Sequence, residues 1–147
     1  MARLINLSDR ERLESIGRTA SKHLREWQKI SYESIIRSFD KAGKSGKKDG
    51  AHVNVTEGCP ASGKTFLAGY TASQLATYDF ISYLIVLCPS ICIQDGWITQ
   101  LNDLGFAPVK AETGAIAAIE ANAVVSTFQG YKKAMEIADS PNVGLCL

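Results

Sequence analysis

Hydrophobic positions change rhythm partway along the chain. Up to about residue 40 they recur at helical spacing: Tyr32, Ile35, Ile36 and Phe39 stand at i, i+3, i+4 and i+7. That is one apolar face of a helix, and the pattern starts it near Arg25. An earlier helix is marked by Ser8 with Glu11 three residues on. This is capping-box spacing, in which hydroxyl and carboxylate satisfy free amides at a helix start. From Lys41 to Gly50 large apolar residues vanish, and four lysines with three glycines read as an exposed connector.

Beyond the connector, short apolar runs alternate with helical stretches. HVNVTEG (from His52), YLIVLCPS (from Tyr83), Pro108 to Glu112, NAVVSTF (from Asn122) and NVGLCL (from Asn142) read as extended pieces. Helices are expected from Gly63 to Thr77, in ICIQDGWITQLNDLG closed by Gly105, from Ala115 to Ala121, and from Gln129 to Ala138. Strands apolar on both faces, alternating with helices, predict an α/β fold: a parallel sheet covered by helices on both sides, with right-handed crossovers. Three segments follow: an N-terminal helical part (1–40), a basic connector (41–51) and an α/β part (52–147).

Composition narrows the class. An apolar fraction of 46% and a charged fraction of 21% are ordinary for a soluble protein with a real core. Sixteen basic and fifteen acidic residues leave +1, which argues against a bulk polyelectrolyte binder but permits a few phosphate contacts. No run approaches the ~20 apolar residues of a membrane span, and the opening MARLINLSDRERL lacks a secretory core, so a soluble, cytoplasmic chain is expected. Cys59, Cys88, Cys92 and Cys146 have no histidine cluster beside them and read as reduced thiols rather than a metal site or disulfide.

The sharpest chemical signal is Gly58-Cys59-Pro60-Ala61-Ser62-Gly63-Lys64-Thr65, a full match to G-x-x-x-x-G-K-[ST]. Chance would produce it in a chain this long on the order of a few times in a thousand. It lies between an expected strand and an expected helix. Gly58 and Gly63 let the backbone approach phosphates, and amides at the helix start meet them where the dipole favours negative charge. Lys64 would reach the β- and γ-phosphates of a nucleoside triphosphate, and the Thr65 hydroxyl would bind its Mg2+. The competing reading is a glycine turn capping a helix.

Three flanking stretches, LREWQ (Leu24 to Gln28), PSICIQDGW (Pro89 to Trp97) and VVSTFQG (Val124 to Gly130), stand in the order and approximate spacing of known motifs. From Leu24 to the last residue the chain resembles the first RecA-like domain of superfamily 2 helicases and translocases, closest to the branch related to type III restriction enzymes and DNA-repair helicases. The resemblance implies that Gln28 recognises the adenine edge of ATP. It implies that Pro89, Ser90 and Thr127 hold one strand of DNA or RNA by its phosphates, without sequence preference. Glu26 stands where that family often has proline. Taken singly, Ser90 and Thr127 are also ordinary helix caps, and Trp97 an ordinary core residue.

One expected part is missing. Such motors hold Mg2+ with an Asp-Glu pair after an apolar strand, and no aspartate here follows one. Val143 to Leu147 is the strand that would lead into that pair. The expectation is therefore the ATP-binding front part of a longer helicase or translocase, inactive by itself and completed by a second helicase domain. The alternatives are a non-catalytic truncated relative acting as a nucleotide-binding or regulatory module, or another class of phosphate-loop protein.

Overall fold

The computed structural model describes residues 4–44, 55–59, 61–112, 121–137 and 143–146. Helix α1 (Leu7–Ala20) starts with a capping box, but the pair is Asn6 and Asp9 rather than Ser8 and Glu11. Asn6 Oδ1 accepts from the Asp9 amide at 2.9 Å, and Asp9 Oδ2 accepts from the Asn6 amide at 3.0 Å. Both pairs have the same spacing, and the tertiary structure chooses between them. Ile5 is buried and its amide donates to the Ser82 carbonyl at 2.8 Å, which pins the chain just before Asn6.

A 3-10 turn (Ser21–His23) leads to α2 (Glu26–Lys44). Its predicted apolar face holds: Ile36 and Phe39 pack on the core, and Tyr32 meets Tyr70 with ring centroids 5.0 Å apart. The helix runs four residues into the stretch expected to be a connector; residues 45–54 lie outside those described. Helix α3 (Lys64–Thr77) is buried nearly all round, wedged against α1, α2 and α4 (Ile91–Leu104). Small residues at Gly69, Ala72, Ser73 and Ala76 allow that crowding; a Cβ at 69 would lie 2.7 Å from Gln100 Nε2 and 2.9 Å from Leu104 Cδ1. Helix α4 ends as expected at Gly105, left-handed at φ +101°, with Phe106 N donating to Leu101 O at 3.0 Å.

Among the described residues, four parallel strands form one sheet in the order β2-β3-β1-β4: β1 (Tyr83–Cys88), β2 (Pro108–Lys110), β3 (Ala123–Thr127) and β4 (Val143–Cys146). The register sets Leu84 beside Ala123 and Cys88 beside Thr127. Side chains alternate between faces, so Leu84, Val86, Ala123 and Val125 join Leu13, Ala76, Trp97 and Leu101 in one cluster. Tyr83, Ile85 and Val124 join Ala134 of α5 (Tyr131–Ile137) on the other side. The α/β expectation is met, with parallel strands and helices on both faces. Ile5 and Leu13 lie in the same cluster as the sheet residues, so the N-terminal segment shares the α/β core.

Two expected elements differ. The described end of the HVNVTEG stretch, from Val55 onward, carries no strand, and Val55 is 83% exposed. Both places beside the central β1 are filled by β3 and β4, so no ladder on β1 is open to it. The helix expected from Gln129 begins instead at Tyr131, after a 3-10 turn (Phe128–Gly130) that brings the chain off β3. The helix expected over Ala115 to Ala121 falls mostly on residues 113–120, outside those described, as do residues 138–142.

Candidate functional site

The Gly58 to Thr65 loop folds back on itself at the start of α3. Lys64 Nζ donates to the Gly58 carbonyl at 2.7 Å, and the Ser62 amide donates to the Cys59 carbonyl at 3.2 Å. A Cβ at Gly58 would lie 3.0 Å from Ser62 Oγ and 3.3 Å from Lys64 Cδ, so a side chain there would press on both. Gly63 is left-handed at φ +96°, and a Cβ on it would stand 2.5 Å from Gln28 Nε2. Ala61 is also left-handed, at φ +60°, an uncommon state for a residue with a side chain. Pro60 lies outside the described residues.

The loop is held from one side by the start of α2. Arg25 Nη1 donates to the Ser62 carbonyl at 3.2 Å, and Gln28 Nε2 donates to the Gly63 carbonyl at 3.0 Å. The peptide bonds are trans, so the amides of Gly63 and Lys64 point opposite to those carbonyls, away from α2. Gly63, the N-cap of α3, offers no side-chain cap to the free amides of the first turn. Ser62 Oγ is buried without a hydrogen-bond partner. Lys64 and Thr65 are exposed. Amides at a helix start without a side-chain cap, an orphan hydroxyl and a lysine are donors suited to phosphate oxygens, and the Thr65 hydroxyl oxygen is a ligand suited to a cation riding on them. The residues fit a Mg2+-nucleotide.

Gln28 sits where the start of α2 meets the loop. It is 3% exposed; Oε1 accepts from the Arg25 amide at 2.7 Å while Nε2 holds Gly63. The first bond caps α2, and the second ties that helix to the Gly58 to Thr65 loop. Arg25 was legible only as one letter of LREWQ, with no assigned part in the site.

Pro89, Ser90 and Thr127, distant in sequence, converge on one cleft of about 470 Å3 at the carboxyl ends of β1 and β3. Ser90 caps α4, its Oγ accepting from the Ile93 amide at 3.4 Å. The cleft also receives Gln94, Lys110, Glu112 and Gln129, which sequence reasoning did not assign to it. Gln94 and Gln129 were visible in the quoted motifs; Glu112 had no signal beyond ending a short extended piece. Gln94 is buried and donates to Glu112 Oε2 at 3.1 Å and to the Val125 carbonyl at 2.9 Å. Lys110 pairs with Asp95, whose hydrogen bond holds the ammonium above its ordinary range. With Lys110 matched by Asp95, Glu112 leaves the cleft without positive excess. Any anion here must be met by hydroxyls and amides on the Ser90 and Thr127 side.

A larger groove, about 560 Å3, lies between α1, α3 and α4. Its walls include the apolar Ile16, Ala20, Phe66 and Leu104 together with His23, Gln100 and Asp103, while Pro89, Ser90 and Thr127 line the smaller cleft. Loop and cleft share one element. Helix α4 carries Ser90 and Gln94 at the cleft, while its Gln100 donates to the Thr65 carbonyl at 2.7 Å. Among the described residues no cluster of three or more His, Cys, Asp or Glu could hold a metal ion, and no helix is long and apolar enough to cross a membrane. Comparison with protein-family models, with curated proteins and with solved structures finds no match.

Proposed function

We propose that the chain binds ATP with Mg2+ at Gly58 to Thr65 and serves as the ATP-binding portion of a RecA-like helicase or translocase acting on DNA or RNA. The observation that carries this reading is the loop itself: folded back at the uncapped start of α3, with its carbonyls held by α2 and its amides turned away. Lys64 would leave the Gly58 carbonyl for the β- and γ-phosphates. Thr65 would hold the cation, and Ser62 Oγ would gain a partner. Ser90 and Thr127 would hold nucleic-acid phosphates at the cleft, with α4 joining the two sites.

The direct test is titration of the chain and of Lys64→Ala with a fluorescent ATP analogue in the presence of Mg2+. The variant is expected to bind more than tenfold more weakly, about 1.4 kcal/mol or more, with an unchanged fold because Lys64 is exposed. Equal affinities would remove the loop from the site.

A further inference from the structure

We infer that Phe128 and Tyr131 form a platform on which the bases of a single nucleic-acid strand stack, beside the cleft that takes its phosphates. The inference rests on the reading of that cleft as a nucleic-acid site. Thr127 and Gln129 line the cleft, and Phe128 stands between them in sequence yet turns its ring outward, 51% exposed. Tyr131 is 47% exposed. Rings of this size are normally covered by the protein that carries them. The segment is also anchored, because Ala134 of α5 is fully buried against the sheet. Phe128 and Tyr131 are three residues apart, so their side chains leave the same side of the turn, roughly 5–6 Å apart at Cβ.

Lys132 and Lys133 follow Tyr131 directly, and both are exposed. Flat apolar faces with ammonium groups beside them match a strand of bases on a phosphate backbone. A protein partner is a poorer match, since lysine is depleted where proteins bury one another's surfaces. A second copy of the chain would bring the same lysines against these. Duplex does not present its base faces, so the platform selects an unpaired strand. Such stacking ignores base identity, because every base has a π-face.

The test is fluorescence anisotropy with the 147-residue chain. Two labelled strands of about a dozen nucleotides are compared, oligothymidylate and an abasic strand with the same number of phosphates. The chain should bind oligothymidylate about tenfold or more tighter than the abasic strand. Phe128→Ala and Tyr131→Ala should each lose about tenfold on oligothymidylate and little on the abasic strand. Tyr131→Phe should keep the affinity, whereas Phe128→Leu, which retains bulk without a flat face, should lose it. Lys132→Ala should weaken both strands alike and reduce the salt slope by roughly 0.7.

Thermal melts of these surface variants should match the parent. Equal binding of the two strands, or Phe128→Leu equal to the parent, overturns the platform and leaves the cleft reading standing. Failure to bind either strand overturns the cleft reading and the platform with it. A self-association seen by sedimentation and abolished by Phe128→Ala would assign the rings to contact between copies and overturn the proposal.

Discussion

At the scale of single residues, Gln28 and Tyr83 show how burial redefines a side chain. A lone glutamine on a helix face is ordinarily a solvated residue, yet here its amide joins the α2 start to the Gly63 carbonyl. Gln28→Ala is expected to cost about 1–2 kcal/mol, the cost of leaving a buried partner unsatisfied. Because the bond acts on the loop, affinity for ATP and GTP should fall together in parallel titrations. A loss confined to ATP would return the glutamine to reading the base. Tyr83 is fully buried, its hydroxyl has no partner, and burial pushes its pKa up to about 12. Between the ordinary tyrosine range near ~10 and that value, the unfolded chain has released a proton that the folded chain keeps. Its contribution to stability is therefore complete below about pH 10 and is lost as pH rises toward 12. Urea midpoints measured across this range should fall for the parent and fall less for Tyr83→Phe. Tyr32 and Tyr70, also raised by burial, and Lys110, raised by its bond to Asp95, add to the slope. At neutral pH Tyr83→Phe should be neutral or slightly stabilising, by up to ~1 kcal/mol, since it removes an unsatisfied hydroxyl.

At the scale of elements, starts and stops are local chemistry selected by tertiary anchoring. Gly105 ends α4 where its backbone freedom predicted. The start of α1 had two candidate pairs of equal spacing, and the Ile5 to Ser82 bond fixed the chain so that Asn6 became the cap. Asn6→Ala should therefore cost about 1 kcal/mol in a denaturant melt. Ser8→Ala, at an exposed position in the first turn, should change stability by less than ~0.5 kcal/mol. The reverse order of the two effects would place the capping box where the sequence pattern first suggested it.

At the scale of the molecule, the N-terminal segment and the sheet share one core. Leu13 of α1 is fully buried among Leu101, Leu104 and Val86, so its loss is felt by the whole fold. Leu13→Ala is expected to cost ~3 kcal/mol or more, a large share of the roughly 5–15 kcal/mol that such domains possess. Loss should appear as one cooperative transition shifted to lower denaturant. Two separate transitions, with only the first moved, would show that α1 folds as its own unit. The same packing joins the sites. Helix α4 is held by the core through Trp97 and Leu101, and it carries both Gln94 at the cleft and Gln100 at the loop.

Much of this was legible in the order of residues, because short-range physics acts on neighbours in sequence. Apolar period distinguished helices from β1 and β3, glycine marked the α4 stop, and the spacing of Gly58, Gly63, Lys64 and Thr65 marked the loop that opens α3. What only the tertiary structure decided involves groups far apart in sequence whose meeting depends on sheet order. Parallel pairing of β1 with β3 brings Ser90 to Thr127, and placing β4 on the other side of β1 leaves Val55 without that neighbour. Gln28 needed Gly63, thirty-five positions away, before its amide had a task. Glu112 entered the cleft because β2 lies beside β3, and no local pattern carries that adjacency. Hydrogen bonds and apolar contacts are short in space but unrestricted along the chain, so periodicity names the elements and packing assigns their partners.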